Sequence, residues 1–320
     1  MQYEPRVPIY MSESDPFDPN LSENRSWLSI ADLVGNFAHA KVALVGAPIG
    51  KFSITPGHCD QAPATVRAAL KRMSVYDIET EDELRDMRVF DAGNVMLDVP
   101  SLKEALDPIR DAVAAQASRR DLTILLGGDN SVTRPGVHGV DGSLKSVGVM
   151  TLDAHFDLRD TDHGLNNGNP IQALLEDGLP GLHISQIGIA PFANTKKAHM
   201  KAKAAGISVR PLGECLARGF VSIVREELGR LSHQCRHIYV DFDIDVIDRG
   251  QMPSAPGARL GGISAREFFA AARVVAAHPN VTCVDLTEFD PSMDVNASGA
   301  LTAARWFSEI LAGYSTRLRL

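Results

Sequence analysis

The chain has 320 residues, 44% of them apolar and 22% charged, enough for one large α/β domain or two small ones. A net charge of −8 argues against nucleic acid or an anionic membrane surface as partner, since either would want a basic patch. No stretch has the apolar length of a signal peptide or a membrane span, and the four cysteines form no CxxC pair, so buried reduced thiols in a soluble cytoplasmic protein are expected.

Residues 1–40 read as an N-terminal extension, rich in proline, serine and acids, with one possible short helix around Trp27–Phe37. Residues 41–320 read as a single domain. There, short β-rich runs alternate with amphipathic helical patterns. The runs are Lys41–Ala47, Val89–Ala92, Thr123–Leu126, Val147–Leu152, Ile184–Ile189, Ile207–Arg210, His237–Val240 and Val281–Leu286. Helical patterns cover Ala64–Met73, Leu102–Ala117, Thr195–Ala205, Val221–Leu231, Ala265–Ala277 and Gly299–Ala312. Strands apolar on both faces and separated by helices predict a parallel sheet of about eight strands covered on both sides. An open sheet and a closed eight-stranded barrel both satisfy that count.

In an open parallel sheet, ligands bind beyond the carboxyl ends of the strands. Four runs end in residues that carry chemistry. Thr123–Leu126 leads into Gly127-Gly128-Asp129-Asn130-Ser131, and Val147–Leu152 into Asp153-Ala154-His155-Phe156-Asp157. His237–Val240 leads into Asp241-Phe242-Asp243-Ile244-Asp245, and Val281–Leu286 into Thr287-Glu288-Phe289-Asp290-Pro291.

Asp153, His155 and Asp157 are spaced by two, as are Asp241, Asp243 and Asp245. On segments still extended at a strand end, such residues share a face. That many carboxylates repel one another unless a cation neutralises them. Carboxylate and imidazole donors without a thiolate suit Mn²⁺, Fe²⁺, Ni²⁺ or Zn²⁺. Two such ions roughly 3.5–4 Å apart form a known hydrolytic design, in which shared water becomes a nucleophile near neutral pH. A lone DxD is weak evidence, because such pairs cap turns. Several acidic strand ends in one chain are harder to explain that way.

These residues resemble the ureohydrolase family, which includes arginase, agmatinase and formimidoylglutamase. Its GGDHS-type turn, DAHxD motif and SxDxDxxDP motif read here as Gly127–Ser131 (GGDNS), Asp153–Asp157 (DAHFD) and Asp241–Arg249 (DFDIDVIDR). The resemblance spans about residues 40–313. It implies a three-layer α/β/α sandwich, manganese as the usual metal with nickel an alternative, and a homotrimer or homohexamer acting on a small molecule. It further implies that Asp153 and Asp243 bridge two ions, that His155 and Asp245 complete one site, and that Asp157 belongs to the other. Glu288 matches the residue that holds the substrate's amidine or guanidine.

Three departures stand out. Asn130 replaces a metal-binding histidine, so its ion is expected to be weak, absent or of another kind, leaving two ions or one. Asn167-Gly168-Asn169-Pro170 replaces HG-x-P, which removes a histidine thought to shuttle protons. Asp241 and Arg249 replace serine and proline, and Asp241 is expected to support or replace a ligand.

The expected reaction is metal-dependent hydrolysis of a C–N bond in a linear amidine or guanidine. DAHFDLR (Asp153–Arg159) and IGIAPFANT (Ile187–Thr195) lean to the formimidoylglutamase branch, which also lacks the HG-x-P histidine. Arg159 would then pair with a substrate carboxylate, the bland alternative being a surface pair with Asp160 or Asp162. Asn167 and Asn169 are candidate substrate contacts. Asp157 is the candidate acid for the departing nitrogen and His163 a candidate replacement proton shuttle. The competing readings are an agmatinase-like hydrolase releasing urea and a degenerate regulatory subunit working with an active paralogue.

Overall fold

The computed structural model describes residues 28–51, 53–97 and 101–318. Most of the expected extension, including Trp27, lies outside them. Within it, Ile30–Leu33 makes a single 3-10 turn rather than a helix. The Asp32 carboxylate closes that turn on the Ser29 amide and hydroxyl, and Val34 is already extended.

In chain order the strands are β1 (Val34–Gly35), β2 (Val42–Gly46), β3 (Tyr76–Asp77), β4 (Asp82–Glu83), β5 (Val89–Asn94), β6 (Leu122–Leu126), β7 (Val147–Leu152), β8 (Ile184–Ile189), β9 (Ser208–Pro211), β10 (His237–Asp243) and β11 (Val281–Thr287). The helices are α1 (Ala62–Ala69), α2 (Leu102–Ala117), α3 (Thr133–Val140), α4 (Pro170–Glu176), α5 (Lys196–Ala205), α6 (Leu212–Arg218), α7 (Phe220–Gln234), α8 (Ala265–Ala277) and α9 (Ser298–Arg317). Local chemistry sets several starts. Ser101 accepts from the Glu104 amide, Thr195 accepts from the Ala198 amide, and Ser264 with Glu267 closes a capping box.

Nine strands form one sheet in the order β1-β5-β2-β6-β11-β10-β7-β8-β9. Every pairing in it is parallel. The ninth strand beyond the expected eight is the two-residue β1, too short to leave a periodic signal and located within the segment read as extension. Among the described residues β1 and β9 are free edges, so the sheet is open and not a barrel. Strands β3 and β4 pair separately as a small antiparallel ribbon.

Two apolar cores lie on opposite faces of the sheet. One joins β2, β6, β7, β10 and β11 residues such as Leu44, Ile124, Leu152, Phe242 and Leu286 to α1, α7, α8 and α9. The other joins Val45, Leu125, Val149 and Cys283 to α2, α3, α4 and α5. This is the three-layer α/β/α sandwich. Strands buried on both faces follow from it, and β2, β6, β7 and β8 are buried at every position. Among the described residues no helix is long and apolar enough to cross a membrane.

Candidate metal centre

The sheet order decides the site. The four motif-bearing strands β6, β11, β10 and β7 are consecutive neighbours, although they are scattered along the chain. Register pairs Phe242 with both Leu286 and Leu152, and Leu286 with Leu126. Asn130, Glu288, Asp243 and Asp153 therefore emerge side by side at the carboxyl edge.

The candidate ligands do not converge by extended alternation, as the spacing suggested. Strand β7 ends at Leu152, and the next residues bend so that the His155 amide donates to Asp153 Oδ1 at 2.6 Å. β10 ends at Asp243, whose Oδ1 accepts the Asp245 amide at 2.9 Å and opens a 3-10 turn. Turns fold His155 and Asp245 back over the strand ends, which extended backbone would carry away. Asn194 pins the first turn from a distant loop, donating to Ala154 O at 2.8 Å and accepting from the Phe156 amide at 3.0 Å. Gly257 lies so near the second turn that a Cβ there would come within 2.1 Å of Asp245 Oδ2.

One donor atom each from Asp153, His155 and Asp245 falls within a 4.8 Å cluster. His155 Nδ1 is 2.9 Å from Asp245 Oδ2 and 3.4 Å from Asp153 Oδ1. Asp243 is 2% exposed, so its charge has no solvent to lean on. Burial, and then the charge of Asp245, pushes Asp153 up to about 7. Burial likewise holds Asp157 and Asp243 well above the ordinary carboxylate range, with Asp153 and Asp245 respectively adding to it. Burial alone would lower His155, but the Asp245 and Asp153 charges override it and raise the imidazole to about 11. Asp245 stays below its ordinary value because His155 outweighs its own burial. Protons thus gather where positive charge is lacking. Hard oxygen donors with one imidazole fit a divalent transition metal.

Asn130 is buried beside this cluster. Its Nδ2 donates to Asp157 Oδ2 at 2.6 Å, while the hydroxyls of Thr133 (2.8 Å) and Thr287 (3.3 Å) approach its Oδ1. The amide therefore presents its NH₂, not its oxygen, to the acids. Thr133 Oγ1 also lies 2.8 Å from Asp285 Oδ2. Asp241 does not reach the cavity. It is wholly buried one step down β10, beside Asp285, and its Oδ2 has no partner among the described residues. It supports the site from beneath and is not positioned as a substitute ligand.

Glu288 Oε1 accepts from the Asn130 amide at 2.8 Å and from Asn167 Nδ2 at 3.0 Å, and no partner of Oε2 occurs among the described residues. Burial, then Asp129, raises Glu288 to about 8. Asp157 and Glu288 both hold a left-handed backbone, with φ of 50° and 62°. Each costs about 1–2 kcal/mol for an L residue, and such strain clusters at functional sites.

His155, Asp157, Asp243, Asp245 and Glu288 floor a cavity of about 600 Å³. His163 lies exposed on its wall. Arg159 lines it too, its Cδ and Nε packed across Gly168. The surface pair weighed for Arg159 does not form with Asp160, which is taken by Lys197 at 2.6 Å and Lys201 at 2.7 Å. Asn169 is a correction. It is buried away from the cavity, its amide donating to Gly164 O and Asp160 O and its Oδ1 accepting from the Asn166 amide. A polar side chain that binds its own loop three ways is scaffold for that loop. Sequence reasoning missed Asn194, Thr133 and Arg259, the last also on the cavity wall. Asn194 and Arg259 act across separations that no local pattern marks, and Thr133 links nearby Asn130 to the distant Asp285.

Comparison with known proteins agrees with this geometry. The sequence model of the arginase family matches residues 40–313. The formimidoylglutamase of Halalkalibacterium halodurans is 30% identical over 274 residues, covering 84% of this chain and 86% of that protein. The crystal structure of formimidoylglutamase from Bacillus subtilis superposes with a TM-score of 0.86 at 27% identity, covering 92% of this chain and 94% of that one. The Trypanosoma cruzi formiminoglutamase structure with Mn²⁺ shares the fold, with a TM-score of 0.82 at 21% identity and coverage of 91% and 99%.

Proposed function

Because the chain belongs to the arginase family and is thus a hydrolase of C–N bonds, we propose that it acts as a formimidoylglutamase, cleaving N-formimidoyl-L-glutamate to formamide and glutamate. One observation carries this reading: the cavity has an acidic floor, but Arg159 on its wall has no carboxylate within ion-pair distance among the described residues. A cationic agmatine tail would meet that guanidinium unfavourably, whereas the carboxylates of a glutamate tail would pair with it.

Asp153, His155, Asp157, Asp243 and Asp245 are the residues that would hold metal, manganese being the ion of the related T. cruzi structure and nickel an alternative. Divalent cations here supply the Lewis-acid charge that makes water nucleophilic near neutral pH. Asn130 could offer its Oδ1 only by turning its amide away from Thr133 and Thr287. We therefore read one firmly held ion and a second, weaker one.

Glu288, fixed by Asn130 and Asn167, grips the cationic nitrogen end of the amidine. That charge favours the ionised carboxylate, offsetting the burial that raises it. Arg159 orients the glutamate tail. Water adds to the C=N carbon, and Asp157 takes a proton from the attacking water and passes it to the departing nitrogen as the C–N bond breaks. His163 exchanges the proton with solvent at the mouth. We place the enzyme in the cytoplasm, where its free buried cysteines stay reduced, as a homotrimer or homohexamer.

The test is a product assay. Purified protein loaded with Mn²⁺ or Ni²⁺ is offered N-formimidoyl-L-glutamate, agmatine and arginine. Formamide release from the first supports the reading, urea release from either guanidine replaces it with the agmatinase-like one, and no product with metal fully bound leaves the regulatory subunit.

A further inference from the structure

Arg249 stands where the family resemblance leads one to expect proline. Its Nη1 donates to Pro256 O and Ala258 O, each at 3.2 Å, and its amide donates to Arg259 O at 3.0 Å. Neighbouring Asp248 accepts the Gly261 amide from the other end of the same loop. Below, Gly257 rests against Asp245 and His155 with no room for a side chain. The loop that follows β10 is therefore braced from one side and stopped by the metal ligands on the other.

This loop delivers Arg259 to the cavity wall, with Nη2 3.4 Å from His155 Nε2. His155 Nδ1 already faces Asp245 and Asp153. With Nδ1 committed as a ligand, Nε2 carries the imidazole hydrogen. Nε2–H and the guanidinium are then both donors, and neither satisfies the other. Two donors converging at a cavity wall call for an acceptor. No carboxylate of the described residues lies within ion-pair distance of Arg259, and Asp160, beside the cavity lysines, is shared between Lys197 and Lys201. The uncommitted guanidinium groups lining the cavity are those of Arg159, on the Asn167 side, and Arg259, on the His155 side.

We propose that Arg259 is a specificity-determining residue, which together with the His155 Nε2–H receives one carboxylate of the substrate while Arg159 takes the other, so that the cavity selects amidines borne on a dicarboxylic acid. The proposal rests on the amidine reading above and adds to it a second anion position. It also gives Arg249 a purpose as the residue that positions the loop. An arginine fork suits this better than lysine, because its planar donors match a carboxylate in two places.

The experiment compares the wild-type enzyme with Arg259→Ala and Arg259→Lys. Calorimetry measures the binding of glutarate, a dicarboxylate without an amidine, and metal analysis follows manganese content. Kinetics use N-formimidoyl-L-glutamate, a monocarboxylic formimidoyl amino acid and formamidine. Losing one charge-assisted contact weakens glutarate about 10- to 100-fold in the alanine variant and lowers kcat/KM for the dicarboxylate similarly, through KM. The loss grows with the number of substrate carboxylates, and lysine falls in between. Equal losses on all three substrates, unchanged glutarate affinity or a fall in manganese content overturns the proposal, since Arg259 would then act only through the metal site. Should the wild type release urea instead of formamide, the functional reading fails, while the glutarate comparison still decides the role of Arg259.

Discussion

Two places in this fold bury carboxylates, and they treat them in opposite ways. Beside β8 and β9, Glu227 is wholly buried yet holds its charge. Burial alone would raise it, but Ser185, Arg230 and Arg210 donate to it and bring it below its ordinary value. At the carboxyl edge of the sheet, Asp153, Asp157, Asp243 and Glu288 have no lysine or arginine pressed against them among the described residues, and all are raised. A paired buried acid is a structural joint. An unpaired group of buried acids waits for a cation and signals chemistry.

The contrast breaks most sharply under neutralisation. Asp243→Asn should lower activity about 10³-fold or more with loss of bound metal. The same change should raise the melting temperature of chelator-treated protein, because it removes a carboxyl that must either bury its charge or take up a proton to fold. Calorimetry with metal analysis checks both signs.

Glu227→Gln should do the reverse. It leaves Arg210 and Arg230 without their buried partner, and should cost about 2–3 kcal/mol of stability in denaturant titrations. That is below the loss expected for full burial, because both arginines are partly exposed. Activity per folded molecule should hold. A Glu227→Gln protein as stable as wild type would show that the pairing is ornamental.

Asn130→His sharpens the comparison inside the metal site. An imidazole in place of the amide should tighten the second manganese about 10- to 100-fold, read as ions retained per chain after dialysis. Unchanged retention would mean that the second position never depended on Asn130.

The smallest effect is in pH. In the metal-free fold Asp153, raised to about 7, and Glu288, raised to about 8, keep protons that the unfolded chain gives up near about pH 4. The folded state then binds more protons across that window, so stability falls as pH rises through it. Chelated protein should melt at a lower temperature near about pH 8 than near about pH 5, and manganese should erase most of the difference. A chelated protein that gains stability over this range would contradict the raised carboxyl groups.

Much of this was legible beforehand. Runs such as Leu122–Leu126 and Val147–Leu152 declare buried parallel strands, because solvent-free faces leave no polar alternation. The candidate ligands Asp153, His155, Asp157, Asp243 and Asp245 are likewise local, each motif being a strand end and the turn after it. Other features left no trace. Strand β1 is two residues long, Asn169 looks like a site residue but ties its own loop, and Arg259 lies 104 residues from the histidine it approaches.

By itself, then, the sequence determined which side chains could hold a cation, which strands carry them and that a sandwich would cover the sheet, since these follow from short-range spacing and apolar patterning. Only the tertiary structure decided that β6, β11, β10 and β7 stand adjacent, that the Asn130 amide turns its NH₂ to Asp157, and that two arginines line the cavity above the acids' floor. Those outcomes depend on strand order and on loops meeting across a cavity. The energies that choose among them come from contacts between residues far apart in the chain, which no local period records.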